Sequence, residues 1–196
     1  MRVILVEYTK EPEFLGTFAA RVCHTSIDDI DEREDETVLK RILKMGHLSV
    51  LEHISFTFLI EGVSRITTHQ LVRHRMASYS QQSHRYTRIK DKDFICPPSI
   101  RNNEKAYNLF KKNVKDNLET YNRLIDMGIK KEDARYIIPQ AVTSTIIVTM
   151  NARELLHFFK LRCAKNAQWE IREMANEMLR LVKEKAPIIF GEIEDE

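Results

Sequence analysis

Apolar positions along the chain change their period several times, and each change marks an element. Val3, Leu5 and their neighbours alternate through Met1–Tyr8, which predicts a strand. Phe14, Leu15, Phe18, Ala19 and Val22 recur at helical spacing and predict a helix over Glu13–His24. An acidic linker, Asp28–Asp35, separates it from a second helix over Glu36–Met45. That helix has Val38, Leu39, Ile42 and Leu43 on one face and Gly46 as its stop. His47–Glu52 reads as a short polar turn, and Ile54–Glu61 alternates like a strand. Ser64 is a natural N-cap for a helix running to Arg73 or Arg75.

The stretch Ala77–Tyr86 has no helical period and is rich in Ser and Gln, so an ordered functional loop is expected, with Tyr86–Phe94 extended after it and Pro97-Pro98 closing the segment. Tyr107, Phe110, Val114, Leu118, Tyr121 and Ile125 form the stripe of one long helix, Ile100–Met127, ended by Gly128. Glu132–Ile138 is a short helix stopped by Pro139. Val142–Met150 is β-branched and predicts a strand. Asn151 caps the next helix, with Glu154 completing a capping box, and that helix ends near Arg162. Gln168–Lys185 is the last long helix; Pro187 breaks it, and Glu192–Glu196 is an acidic tail. The irregular alternation favours a single α+β domain over residues 1–196, with a mixed or antiparallel sheet flanked by long helices.

Composition adds little to this picture, whereas the placement of charge adds much. The 196 residues carry 31 basic and 29 acidic side chains, so the chain is nearly neutral. Yet Gly62–Lys90 contains no Asp or Glu, while holding Arg65, Arg73, Arg75, Arg85, Arg88 and Lys90 with His69, His74 and His84. Such a run is either a solvated basic face or positive potential gathered for an anionic ligand. A basic window interleaved with Tyr79 and Tyr86 also fits a nucleic-acid-binding module. No apolar run reaches the roughly 18 residues needed to span a bilayer. The N-terminus is too soon acidic for a signal peptide, so a cytoplasmic protein is expected. Cys23, Cys96 and Cys163 are too scattered for a disulfide framework or a zinc site. His47 and His53 flank Glu52 without further ligands nearby, so no metal is expected. The five glycines allow neither a dinucleotide-binding Gly-rich turn nor a P-loop.

A second polar group opens and closes one helix: Asn151, Arg153, His157 and Arg162. Singly, Asn151 is a cap, His157 a core histidine and Arg162 a charge suited to a helix C-terminus. Together with the basic stretch they resemble the flavin-dependent thymidylate synthases. That family's signature is R-H-R, seven residues, then Ser; here it reads Arg73-His74-Arg75 and Ser83, ending Ser83-His84-Arg85-Tyr86. Gly46-His47, Glu52-His53 and Phe56-Thr57-Phe58 resemble its upstream segment. Ala134-Arg135 with Pro139, Asn151-Ala152-Arg153, and Ala167-Gln168-Trp169-Glu170-Ile171 resemble its later blocks. The resemblance runs from Ala20 to Lys183.

The resemblance implies synthesis of dTMP from dUMP, with methylenetetrahydrofolate giving the carbon and NADPH reducing FAD. It implies FAD contacts from Ser49, Arg73, His74, Arg75, Gln81, Asn151, Arg153 and His157. It implies dUMP contacts from Gln70, Arg73, Gln81, Gln82, Ser83, His84 and Arg85, with Arg135 reaching in from a neighbouring subunit. Arg162 would lie against the uracil ring as the catalytic group, in place of a cysteine nucleophile. A homotetramer with sites between subunits is implied, with neither nucleic acid nor membrane as partner. The chain departs from the pattern in four places. Ser80-Gln81 stands where many members have Asn-Glu, His84 where Gly is frequent, Asn166 where His is common, and Cys23 where some have Ser.

Overall fold

The computed structural model describes residues 1–23, 26, 36–91 and 93–193. The acidic linker Asp28–Asp35, the end of the first helix at His24 and the last three residues of the acidic tail lie outside these described residues. The described residues form four strands, β1 (Arg2–Tyr8), β2 (Ser55–Ser64), β3 (Ala77–Gln81) and β4 (Thr143–Asn151), with buried apolar positions alternating most clearly in β2 and β4. They form one sheet in the order β1-β2-β4-β3, antiparallel throughout. The expected choice between mixed and antiparallel is thereby settled.

The other main elements among the described residues are helices. They are α1 (Pro12–Val22), α2 (Glu36–Met45), α3 (Arg65–Leu71), α4 (Pro98–Arg101), α5 (Glu104–Asp126), α6 (Lys131–Ala134), α7 (Ala152–Arg162), α8 (Trp169–Lys183) and α9 (Pro187–Phe190). The expected polar turn after Gly46 is a 3-10 turn, Leu48–His53, whose Val50 and Leu51 are buried. Gly46 itself has φ +73, which suits a helix stop that other residues resist.

One face of the sheet makes the core. Phe56, Phe58 and Ile60 of β2 and Ile146, Val148 and Met150 of β4 meet Leu155, Phe158 and Phe159 of α7. Met174, Met178 and Leu179 of α8 close the same cluster. Pro187 does not release the chain: it opens α9, which returns Phe190 to the core. Rings then run edge to face from Phe56 to Phe190, Phe159 and Phe158, ending on His74. On the opposite face Leu59 pairs with Ile147, and Thr57 with Thr149, hydroxyl to hydroxyl at 2.9 Å.

Three expectations change. The short helix expected over Glu132–Ile138 is α-helical only to Ala134 and continues as a 3-10 turn, Arg135–Ile137. The long helix from Ile100 is two helices, because the Asn103 side chain accepts the Ala106 N–H and so caps a new start. Its stripe was correctly placed: Val114 and Tyr121 are buried, and Tyr121 joins a small second cluster with Ile89, Ala134 and Val142, against which Leu118 and Ile125 pack. The expected loop Ala77–Tyr86 begins as an edge strand. Ser78 and Ser80 take outward positions there, and pairing from Ala77–Met150 to Gln81–Ile146 supplies the order that local pattern lacked.

Candidate active site

The site begins at Ser64, whose hydroxyl accepts the Thr67 N–H and starts α3. Ser64 is itself gripped. Its backbone N–H and its hydroxyl each donate to a Glu170 carboxylate oxygen at 2.6 Å, and both residues are buried. Glu170 stands in the first turn of α8, which Gln168 caps by accepting the Glu170 and Ile171 N–H groups. The Gln-Trp-Glu block thus anchors the helix that delivers Gln70.

That helix stops earlier than expected, at Leu71 rather than Arg73 or Arg75. The Tyr79 hydroxyl lies within 2.9 Å of the Leu71 carbonyl and 2.7 Å of the His74 carbonyl. It satisfies acceptors that a longer helix would have paired, and the chain turns into β3. Burial, followed by the Glu154 charge, pushes the Tyr79 hydroxyl up, so it remains a donor. Across this turn Arg73 and Arg75 are exposed while His74 is buried between them.

Both ring nitrogens of His74 are engaged. Nδ1 lies 3.0 Å from Glu154 Oε1, and Arg162 Nε–H donates to Nε2 at 3.1 Å. A guanidinium only donates, so Nε2 must be an acceptor and the proton sits on Nδ1. The ring is therefore neutral. Its titration agrees: burial holds the imidazole below its ordinary value, the Glu154 hydrogen bond opposes, and Arg162 and His157 push it further down. The Glu154 carboxylate, expected to complete a capping box on Asn151, is thus turned to His74. Asn151 still caps α7 by accepting the Glu154 N–H at 2.8 Å.

Beside this cluster lies a groove of about 550 Å3 lined by Leu48, Met76, Asn151, Arg153, Leu156, His157 and Lys160, with Glu52 and Glu154. Ser49 follows Leu48 in the 3-10 turn and is exposed. Arg153 pairs with Glu52 at 2.6 Å. Seven of the residues singled out in the sequence therefore gather at one end of β4: Ser49, Arg73, His74, Arg75, Asn151, Arg153 and His157. Arg162 joins them through His74.

Gln82, Ser83, His84, Arg85 and Arg135 gather at the other end, while Gln70 stays beside Leu71 on the His74 side. Gln82 N–H donates to the Thr145 carbonyl at 2.8 Å, and the His84 Nε2–H to the Thr143 carbonyl at 3.0 Å. His84 is buried, and burial followed by the Arg65 charge holds it below its ordinary value. The Ser83 hydroxyl accepts the Arg85 N–H at 3.2 Å. Arg85 pairs with the Glu132 carboxylate, while Arg135 Nε–H donates to the Glu132 carbonyl at 3.1 Å. Arg65, His69, His84 and Arg135 line a second cavity of about 520 Å3. Gln70 is half-buried near the end of α3. Gln81 lies between the two ends, its amide donating to the Thr68 and Ser144 hydroxyls at 3.0 Å each.

The basic run is acid-free in sequence but not in space. Glu154 meets His74 and Glu132 meets Arg85. A uniform cationic face for nucleic acid is not what the fold builds. Glu154, Glu132 and Glu170 were absent from the expected site, because nothing local to them signals partners so distant in sequence; Tyr79 was absent too, although the carbonyls it meets, Leu71 and His74, lie close by in the chain.

An α+β scaffold carrying two cation-rich cavities, one beside a neutral histidine held by arginine, defines a binder of anionic, ring-bearing ligands. Comparison with known proteins narrows the class. The family model described as thymidylate synthase complementing protein matches residues 4–188. A flavin-dependent thymidylate synthase of Geobacter sulfurreducens is 50% identical over 97% of this chain and 85% of its own. Its counterpart in Pyrococcus furiosus is 49% identical over 91% and 78%. The crystal structure of a flavin-dependent thymidylate synthase from Helicobacter pylori, complexed with FAD and dUMP, superimposes with a TM-score of 0.79 at 26% identity, covering 98% of this chain and 99% of that one. The chain belongs to the flavin-dependent thymidylate synthase family of enzymes.

Proposed function

We propose that this chain converts dUMP to dTMP, using FAD reduced by NADPH and methylenetetrahydrofolate as one-carbon donor. The residues present fit FAD. Arg153, Lys160 and His157 offer donors and positive charge for its phosphates, and Leu48, Met76 and Leu156 offer apolar surface for a ring. When bound, FAD supplies the hydride; the side chains of this chain bind, orient and polarise.

The observation that carries the reading is the setting of Arg162. Among the described residues, its hydrogen bond runs from Nε to His74, which leaves the two terminal nitrogens to meet a ligand. A guanidinium so held beside the uracil ring favours negative charge at N3 and O4, and that charge makes C5 more nucleophilic. A preorganised donor of this kind lowers the barrier by about 3–4 kcal/mol. No cysteine takes this role: Cys96 and Cys163 are buried, and the exposed Cys23 donates its thiol to the Ala19 carbonyl on α1.

Gln70, Gln82, Ser83, His84, Arg85 and Arg135 are assigned to dUMP, and Gln81 holds the wall between the cavities. The Arg162 and Arg85 groups flank opposite ends of β4, whose Thr143–Asn151 backbone spans roughly 25 Å. A mononucleotide is shorter than that. A complete site therefore takes the ring-polarising group from one copy and the phosphate clamp from another, which supports an assembly of at least two copies; the homotetramer implied by the family resemblance meets that need. The outward sheet face, with Leu59 half-buried and Ile147 exposed between threonines, is an available contact surface.

The test is Arg162→Ala. The variant is expected to bind flavin, seen by its absorbance, while turnover falls by roughly a hundredfold or more. Turnover at the level of the unaltered chain removes Arg162 from the mechanism.

A further inference from the structure

We propose that Glu154 is a positioning residue for Arg162, acting through the neutral ring of His74. This inference rests on the reading that Arg162 polarises the uracil ring. The three side chains form one line, carboxylate to Nδ1–H and Nε2 to guanidinium, with contacts of 3.0 and 3.1 Å. The line is shielded: the His74 side chain is 4% exposed and that of Glu154 12%. Phe158 stands edge-on to the ring, with centroids 4.9 Å apart.

Each link constrains the next. Glu154 accepts the Nδ1 proton, which leaves the Nε2 lone pair directed at Arg162. The carboxylate also polarises the ring, making Nε2 a stronger acceptor. Without Glu154 the buried Nδ1–H has no partner, and the ring gains by rotating or flipping, which frees the guanidinium. A capping role alone would direct this carboxylate to Asn151; it is directed to His74 instead.

The line also responds to acid. The titratable groups facing His74 are Glu154, Arg162 and His157 of α7, with the Tyr79 hydroxyl of β3 on the His74 carbonyl. A second proton on the ring occupies Nε2, turns it into a donor and breaks its bond to Arg162. Turnover therefore falls as pH drops through the folded value of His74. Glu154 raises that value, by hydrogen bond and by charge. A neutral acceptor in its place lowers the value and moves the acid limb to lower pH.

The experiment compares Glu154→Leu and Glu154→Gln in the FAD-loaded protein. Nitrogen-15 spectra of the imidazoles read the tautomer independently of turnover. The unaltered chain and Glu154→Gln are expected to show His74 protonated at Nδ1. Glu154→Leu should lose roughly tenfold or more in kcat while retaining flavin. Glu154→Gln should keep most of its kcat at neutral pH, with its acid limb shifted down. The proposal is overturned by unaltered kcat in Glu154→Leu, by an unmoved acid limb in Glu154→Gln, or by a ring protonated at Nε2 in the unaltered chain. Failure of the wider reading is separate: it shows as normal turnover in Arg162→Ala, whatever the state of the ring.

Discussion

His74 and His84 meet the same demand with different neighbours. Each is a buried imidazole held below the ordinary histidine value of 6.5, mainly by burial; the Arg162 bond requires a neutral ring at His74, whereas at His84 the bond to the Thr143 carbonyl opposes the effect of burial. The sign of the consequence follows. Unfolded, these rings take up a proton near 6.5; folded, they do so only at lower pH. Between the two values the unfolded chain binds more protons, so stability is complete above the unfolded value and declines as pH falls below it. Thermal midpoints should drop as pH is lowered from 7.5 toward roughly 5, and His84→Gln, which can still donate to the Thr143 carbonyl, should flatten that slope. An equal slope in the variant would show that His84 does not contribute.

At the scale of elements, α3 is held at both ends by side chains from elsewhere. Glu170 of α8 grips its start, across 106 residues of sequence, and the Tyr79 hydroxyl of β3 takes carbonyls at its end. Glu170→Ala leaves the Ser64 N–H and hydroxyl buried without their partner. A loss of about 3 kcal/mol in unfolding free energy is expected, measured by denaturant titration. Since α3 delivers Gln70 and, just beyond it, His74, flavin affinity should weaken as well. Wild-type stability in this variant would show that water replaces the carboxylate.

The same contacts explain what could be read in advance. Ser64 and Asn151 were legible as caps, because a cap and the N–H groups it satisfies lie within three residues. The inward residues of β2 and β4 were legible from alternation. The edge strand β3 was not, since Ser78, Ser80 and Gln81 acquire strand order only by pairing with β4. The two-helix break at Asn103 was missed because the apolar stripe, Tyr107 to Ile125, lies wholly beyond it and does not mark where the helix starts. Within the site, the arginines and histidines stood out by type, while Glu154 and Glu132 did not. Each carboxylate takes its meaning from a partner 80 or 47 positions away, His74 and Arg85 respectively.

At the scale of the whole molecule, the decisive feature is distance. One chain places His74 and Glu154 near the Asn151 end of β4, with Arg162 bonded to His74 from the far end of α7, and His84, Arg85 and Arg135 near the Thr143 end. On the proposed function, dTMP synthesis is a property of the assembly, with Arg162 polarising uracil whose phosphate is held by another copy. The most direct measurement is tritium release from dUMP labelled at C5, with FAD, NADPH and methylenetetrahydrofolate present. The unaltered chain should release tritium and form dTMP, and to do so it should need all three. Arg162→Ala and Arg85→Ala chains should each be nearly silent alone, and an assembly containing both should recover a fraction of the activity, because some sites then unite an intact Arg162 with an intact Arg85. No release by the unaltered chain, or a mixed assembly as silent as its parents, would contradict the account.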